Sequence, residues 1–241
     1  MDVMSDPSPV YVVTATYNER ENVQEVHRRL REVLGGAHLV VVDDNSPDGT
    51  GEVVRQLAAM DERVHLVTRP GKLGYASAHQ AGMRLALDEG ADVVVALDAD
   101  LSHDPAAIPA MLERLAEYDV VVGSRYVAGA AFEGVGASRR ALSRFANAYV
   151  RLVLGLKPRD CTSGFRAYRA ELIRKAGLLQ PGPEGYVFLT EALWRCQRAG
   201  ARIGEAPIIY RVRKRGRSKM NARIMLESAW RTLAVRLRRG R

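Results

Sequence analysis

Val93-Val94-Val95-Ala96-Leu97-Asp98-Ala99-Asp100 reads as a buried β-strand that hands two carboxylates to the loop at its C-terminal end. Side chains on an extended chain alternate between faces, so both acids reach one ion only where the backbone turns at Ala99. One or two carboxylates plus phosphate oxygens is the usual setting of Mg²⁺ in nucleotide enzymes, which makes a diphosphate the natural third partner. Taken alone, the tripeptide is common, and a pair of solvated loop acids is the better reading of it.

Two further strands end in the same way. Leu39-Val40-Val41-Val42 runs into Asp43-Asp44-Asn45-Ser46-Pro47-Asp48-Gly49-Thr50, and Val10-Tyr11-Val12-Val13 runs into Thr14-Ala15-Thr16-Tyr17-Asn18-Glu19. Asp, Asn, Pro and Gly also favour turns for their own reasons, and Asp48 or Thr50 suits a helix cap. Ligands of open α/β sheets bind beyond the carboxyl ends of the strands, so three polar strand ends point to one shared site.

The chain of 241 residues, 47% hydrophobic, is long enough for a sizeable core. No linker, repeat or low-complexity tract divides it, and strands alternate with helical stretches through the first half, as in βαβ units. Helices are expected over 21–34, 51–59, 76–89 and 106–116, the last opened by Asp104-Pro105, with a strand over 119–123. Cys161 and Cys196 have neither a zinc spacing nor a C-x-x-C arrangement, so inert thiols in a reducing compartment are expected. The N-terminus has no apolar h-region, and no stretch reaches the ~18 consecutive apolar residues that span a bilayer. A soluble or peripheral chain is expected.

The formal net charge of +8 is unevenly placed: residues 211–241 carry 12 Lys/Arg against one acid, and the remainder 24 against 27. A local basic segment asks for a local anionic partner, membrane phosphate or nucleic acid. Within 221–241, Leu226, Trp230, Leu233 and Leu237 recur at helical spacing among Arg223, Arg231, Arg238, Arg239 and Arg241. That stripe fits a membrane surface and equally a helix packed on the core. Residues 138–156 pair an apolar set, including Leu142, Phe145, Tyr149 and Val150, with Arg139, Arg140, Arg144 and Arg151, a combination suited to a phosphate on a lipid tail. Most of those apolar residues also suit a core helix.

Further motifs complete a pattern: Lys72-Leu73-Gly74, Asp98 through Pro105, Gly123-Ser124-Arg125-Tyr126, Thr162-Ser163-Gly164-Phe165-Arg166, Gly185-Tyr186-Val187-Phe188, Ile203-Gly204-Glu205-Ala206-Pro207-Ile208 and the basic run Arg213 through Lys219. Over nearly its full length the chain resembles the family-2 glycosyltransferases, specifically the dolichol- or polyprenol-phosphate mannose synthases. The resemblance implies an α/β GT-A fold, a mixed, mostly parallel sheet flanked by helices, in one catalytic domain over 1–220 with a basic amphipathic helix over 221–241. It implies inverting transfer of mannose from GDP-mannose to a polyprenyl phosphate with Mg²⁺ or Mn²⁺, at the cytoplasmic face of a membrane.

By the same resemblance, Asp98 and Asp100 hold the metal with Ser102 as a third contact, at a position where the family often has Gln. Tyr17, Glu19 and Asp44 contact the guanosine, Ala15, Val42 and Ala99 complete the donor site, and Arg125, Arg213 and Lys219 neutralise the diphosphate. Arg139 matches a position near the acceptor phosphate, and Glu191 ranks as a structural or positioning acid. Ala15 stands where the family usually has Pro, and Tyr75 replaces a small residue. A lipid substrate without an anchor points to a separate integral-membrane partner, and the Gly-bearing stretch 127–136 is a candidate closing loop. UDP-glucose as donor is the nearest alternative. A non-catalytic membrane- or nucleic-acid-binding protein is another class, against which stand the intact acids and the absence of a nucleic-acid motif. A dinucleotide oxidoreductase lacks its G-x-G-x-x-G after the first strand.

Overall fold

Valine-rich runs become central strands because both of their faces are covered. In the computed structural model, which describes residues 8–182, 185–212 and 222–237, the order is β1 (Val10–Thr16), α1 (Arg20–Val33), β2 (His38–Asp43), α2 (Thr50–Met60), β3 (Val64–Thr68), α3 (Tyr75–Asp88) and β4 (Val93–Ala96). A 3-10 turn (Pro105–Ala107) leads into α4 (Ile108–Arg114), β5 (Val120–Ser124), β6 (Ala131–Glu133), α5 (Ala137–Leu154), β7 (Arg166–Arg169) and α6 (Ala170–Lys175). Then come α7 (Tyr186–Arg198), β8 (Ile203–Pro207), β9 (Ile209–Arg211) and α8 (Ala222–Leu237). The seven-stranded sheet runs β3-β2-β1-β4-β7-β5-β8, with only β7 antiparallel to its neighbours. The mixed, mostly parallel α/β sheet expected from the sequence is therefore present.

Alternation along each strand divides the core. Val12, Leu39, Val41, Val93 and Val95 pack with Val23, Val26 and Leu30 of α1 on one face, while Val13, Val40, Val42, Val94 and Ala96 meet Met83, Ala86 and Leu87 of α3 on the other. Val23, Val26 and Leu30 recur at three- and four-residue spacing, the stripe a core-facing helix requires. Each such fully buried side chain contributes about 1.5–3 kcal/mol of burial. Helix α3 lies so close to the sheet that a Cβ on Gly82 would stand 2.4 Å from Val13 Cγ1.

The first helices begin and end within a residue of expectation, but 106–116 opens as the 3-10 turn, with Asp104 accepting the Ala106 amide at 3.1 Å. The expected strand at 119–123 lies one residue later. The stretch 127–136 holds β6, which pairs in parallel with β9. Among the described side chains of α8, which leave out 222–228 and with them Arg223 and Leu226, Thr232 and Val235 are buried, Val235 packing with Val150, Leu154 and Leu193, and the Tyr149 hydroxyl donates to Ala229 O at 3.0 Å. Trp230 and Leu237, expected on a single buried or membrane-bound stripe, point outward. Spacing alone suits either side of a helix, and the smaller Thr232 and Val235 are the ones that fit the seam. No helix of the described residues is long and apolar enough to cross a membrane.

Candidate active site

The chain passes from β1 to β2 and β3 on one side, then returns to place β4 on the other side of β1. Strand order reverses there, so the loops leaving β1 and β4 open a crevice between them. The register continues past the ladder, with Leu97 N donating to Val13 O at 3.1 Å, and delivers Asp98 and Asp100 to that crevice. Three non-glycine residues among those described have left-handed backbone: Asn18, Asn45 and Leu101. One lies in each of the loops after β1, β2 and β4. Such conformations cost on the order of 1 kcal/mol or more and collect where a loop is held for function.

Cross-bonds join the first two loops. Asn18 N donates to Ser46 Oγ at 3.0 Å, Glu19 N to Thr50 Oγ1 at 3.0 Å and Arg20 N to Asp48 Oδ2 at 3.2 Å. Glu19 Oε2 accepts Asn22 Nδ2 at 2.6 Å. Ala15 and Val42 face each other in register, and Tyr17, exposed at the surface, has the Lys72 ammonium 4.6 Å from its ring centroid. Asp44 is buried and accepts Arg69 Nε at 2.5 Å, while Arg69 Nη1 and Nη2 donate to Ser77 Oγ and Gly74 O. Arg69 is not among the residues expected from the sequence, since an isolated arginine after a strand carries no signal.

In the third loop, Ser102 N donates to Asp100 Oδ1 at 3.0 Å, and Asp98 Oδ1 accepts the Tyr75 hydroxyl at 3.0 Å. Burial first, and then the Asp98 charge, raise the Tyr75 pKa well above the usual phenol value, which keeps it a donor. Gly164 makes room for this pair: a Cβ there would lie 2.7 Å from Tyr75 Oη and 3.5 Å from Asp98 Oδ1. Asp98 N donates to His103 Nδ1 at 3.3 Å, so the ring is neutral with its proton on Nε2. Burial lowers the His103 pKa, which agrees with that tautomer, so the 3.9 Å approach of Asp98 Oδ2 to Nδ1 is not an ion pair. Asp98, Asp100, Arg125 and Asp160 all act electrostatically on this one ring.

Arg125, at the end of β5, is held by buried Asp160 through Nε–Oδ2 and Nη2–Oδ1 bonds of 2.7 Å each, and Nη2 also reaches Thr162 Oγ1 at 2.7 Å. Burial on its own would raise the Asp160 pKa, yet the Arg125 guanidinium and backbone amides hold it below the carboxylate norm. Nη1 takes no part in this pairing. Asn147 of α5 ties in by donating to Thr162 Oγ1 at 3.0 Å, and its Oδ1 accepts Cys161 N at 2.7 Å. Arg139 lies exposed in the first turn of the same helix. Glu191 accepts Arg195 Nη2 at 2.6 Å. Arg213 and Lys219 lie outside the described residues.

The oxygen-only pair Asp98 and Asp100 fits a hard divalent cation better than a metal that prefers thiolate or imidazole. Among the described residues no cluster of three or more His, Cys, Asp or Glu is poised for a metal. Two carboxylates leave the other positions to ligand oxygens, as expected where a cation is shared with substrate phosphates. Ser102 is buried beside Asp100, and its carbonyl accepts Arg211 N at 3.3 Å.

The family model described as "Glycosyl transferase family 2" matches residues 11–177. An undecaprenyl-phosphate mannosyltransferase of Micrococcus luteus is 40% identical over 219 residues, which is 91% of this chain and 90% of that protein. A polyprenol monophosphomannose synthase of Mycolicibacterium smegmatis is 40% identical over 212 residues, 87% of this chain and 80% of its own. Among solved structures, the mannosyltransferase PcManGT of Pyrobaculum calidifontis with GDP-Man and Mn2+ superposes with a TM-score of 0.66, 21% identity and coverage of 98% of this chain and 66% of that one. Glucosyl-3-phosphoglycerate synthase of Mycobacterium tuberculosis with Mn2+, UDP and glucosyl-3-phosphoglycerate gives 0.64, 20% identity and coverage of 96% and 80%. At these identities the two structures speak to the fold.

Proposed function

The chain belongs to glycosyl transferase family 2, and from that premise we propose that it moves mannose from GDP-mannose to a polyprenyl phosphate, with inversion at the anomeric carbon. The observation that carries this reading is the 40% identity, over nine-tenths of the chain, to a transferase named for that kind of acceptor.

In this reading Asp98 and Asp100 hold Mg²⁺ or Mn²⁺, with Ser102 beside them. What such a cation supplies is compensation for the negative charge that grows on the departing diphosphate. Tyr17, Glu19 and Asp44, with Ala15, Val42 and Ala99, take the guanosine side of the donor, and Arg69 keeps the Asp44 carboxylate aimed. The Arg125 fork is oriented by Asp160 before any substrate arrives, leaving Nη1 for a phosphate oxygen. Arg139, with Arg213 and Lys219, adds positive charge for the acceptor phosphate and the diphosphate.

An oxygen of the acceptor phosphate attacks the anomeric carbon from the side opposite GDP. The new C–O bond forms as the bond to the β-phosphate breaks, and GDP carries off the electron pair. The attacking oxygen is already anionic, so no side chain has to remove a proton. Such an acceptor brings the enzyme to a membrane, and the cytoplasmic face, where nucleotide sugars are present, is its expected side. An integral-membrane partner subunit is part of the same reading.

The test incubates the purified full chain with Mg²⁺ or Mn²⁺, polyprenyl phosphate and labelled GDP-mannose or UDP-glucose. Mannose label in an acid-labile, organic-extractable lipid is the expected result. Glucose label alone would replace the donor, and label from neither, even after membranes are added back, would overturn the reading.

A further inference from the structure

Arg69 and Arg125, the two arginines placed beside the crevice, each have a carboxylate partner, Asp44 and Asp160. Arg166, 0% exposed in the middle of the sheet, has no carboxylate within ion-pair distance among the described residues. Its Nη1 donates to Leu189 O at 2.6 Å and to the Tyr168 hydroxyl at 3.3 Å, and its Nη2 to Cys161 O at 3.0 Å. Carbonyls and a hydroxyl orient a guanidinium but carry no net charge to offset it, and a buried ion without a counter-charge is costly.

The sheet register shows where that charge lies. Arg166 stands opposite Ala96 of β4 and Val122 of β5. Strands β4 and β7 are antiparallel, so the next residues on the same face are Asp98 and Gly164, in agreement with the 3.5 Å between a Cβ built on Gly164 and Asp98 Oδ1. Arg166 is therefore one step of the pleat, about 7 Å along the strands, behind Asp98. Tyr75 and His79 of α3 report on both charges. Burial dominates each pKa, and beyond it Asp98 raises and Arg166 lowers both. Glu191, the acid that α7 brings nearby, is committed to Arg195.

We infer that Arg166 is a positioning residue for the metal, the buried counter-charge of Asp98 that keeps the two-acid site weak toward a lone cation and favours its filling together with a diphosphate. Arg166 offsets part of the negative potential of Asp98 and Asp100, so a cation alone gains less there. The same positive charge attracts the diphosphate anion, so the two ligands enter and leave as a unit. This inference rests on the metal-assisted donor site proposed above, and it concerns the order in which that site fills.

The experiment titrates the full chain by calorimetry, first with Mn²⁺ alone and then with GDP at saturating Mn²⁺, for wild type, Arg166→Gln and Arg166→Lys. Arg166→Gln keeps a donor but loses the charge, and should bind Mn²⁺ alone about tenfold more tightly than wild type. Its GDP affinity should fall, whereas general loosening of the site would weaken both. Arg166→Lys keeps the charge and should follow wild type in both titrations. Mn²⁺ binding by Arg166→Gln no tighter than wild type, or equal tightening in Arg166→Lys, overturns the inference. Should Arg166→Gln fail to fold, urea unfolding of metal-free Asp98→Asn decides the matter. Asn keeps an acceptor for the Tyr75 hydroxyl and removes the charge facing Arg166, so this variant should be less stable than wild type. Equal or greater stability, as where two acids merely repel, overturns the inference. Wild type that binds no Mn²⁺ even with GDP would sink the donor reading, while the urea comparison still decides whether Arg166 is the counter-charge of Asp98.

Discussion

The Tyr75 hydroxyl donates to Asp98 Oδ1 at 3.0 Å, which commits one oxygen of a proposed metal-holding carboxylate to the protein. Outer partners of this kind commonly alter metal affinity by about 10–100-fold. Tyr75→Phe should raise the Mn²⁺ concentration for half-maximal transfer by about tenfold and weaken Mn²⁺ binding by calorimetry to match. Melting should be nearly unchanged. Metal binding equal to wild type would show that the bond does not orient Asp98.

Gly164→Ala places a methyl group 2.7 Å from the Tyr75 oxygen, too close for both to stay. The Tyr75–Asp98 bond should break, and the variant should show the metal defect of Tyr75→Phe. The double variant Gly164→Ala/Tyr75→Phe removes the clashing oxygen, so its defect should match the single variants rather than their product. Independent, multiplying losses would place the effect of Gly164 elsewhere.

Arg69 is buried against Asp44 and also donates to Ser77 Oγ and Gly74 O, tying the loop after β2 to the start of α3. Arg69→Met leaves the Asp44 charge uncompensated and should cost about 3–5 kcal/mol in urea unfolding. Arg69→Met/Asp44→Asn should recover much of that stability while transfer from GDP-mannose stays impaired. No recovery would mean that Arg69 matters through packing alone.

His79 is buried with neither ring nitrogen hydrogen-bonded, and burial pushes its pKa down to about 4. Its unfolded value is about 6.5, so folding favours the neutral ring, and the stabilisation is complete above that pH and lost as pH falls toward 4. The interval corresponds to about 3 kcal/mol. Urea melts at pH 7 and near pH 4 should show wild type losing about that much relative to His79→Leu. Parallel losses in the two proteins would refute a buried neutral His79.

Strands β1, β2 and β4 were readable because a strand covered on both faces shows as an unbroken valine run, and their polar ends located the crevice. Strand β7 was not, because Arg166 sits fully buried in it, its Nη1 and Nη2 donating to Leu189 O, Cys161 O and the Tyr168 hydroxyl. A lone arginine reads as surface when its partners are carbonyls, which leave no trace in composition. Asp160 was hidden likewise: its importance comes from Arg125, 35 residues away, and only folding pairs them. Asp98 and Asp100 stood out, but Tyr75, noticed only as a departure, gains its meaning from the bare Cα of Gly164.

The two cysteines close an experimental opportunity and create another. Cys161 and Cys196 are wholly buried, and burial pushes both thiols up to about 12, so neither offers thiolate to a water-borne reagent at neutral pH. Native labelling is thereby forfeited. A single cysteine engineered at Leu152 would be the one thiol a maleimide dye can reach, with no need to strip the native pair, so a fluorophore could be seated on α5 to watch the enzyme arrive at a surface in real time.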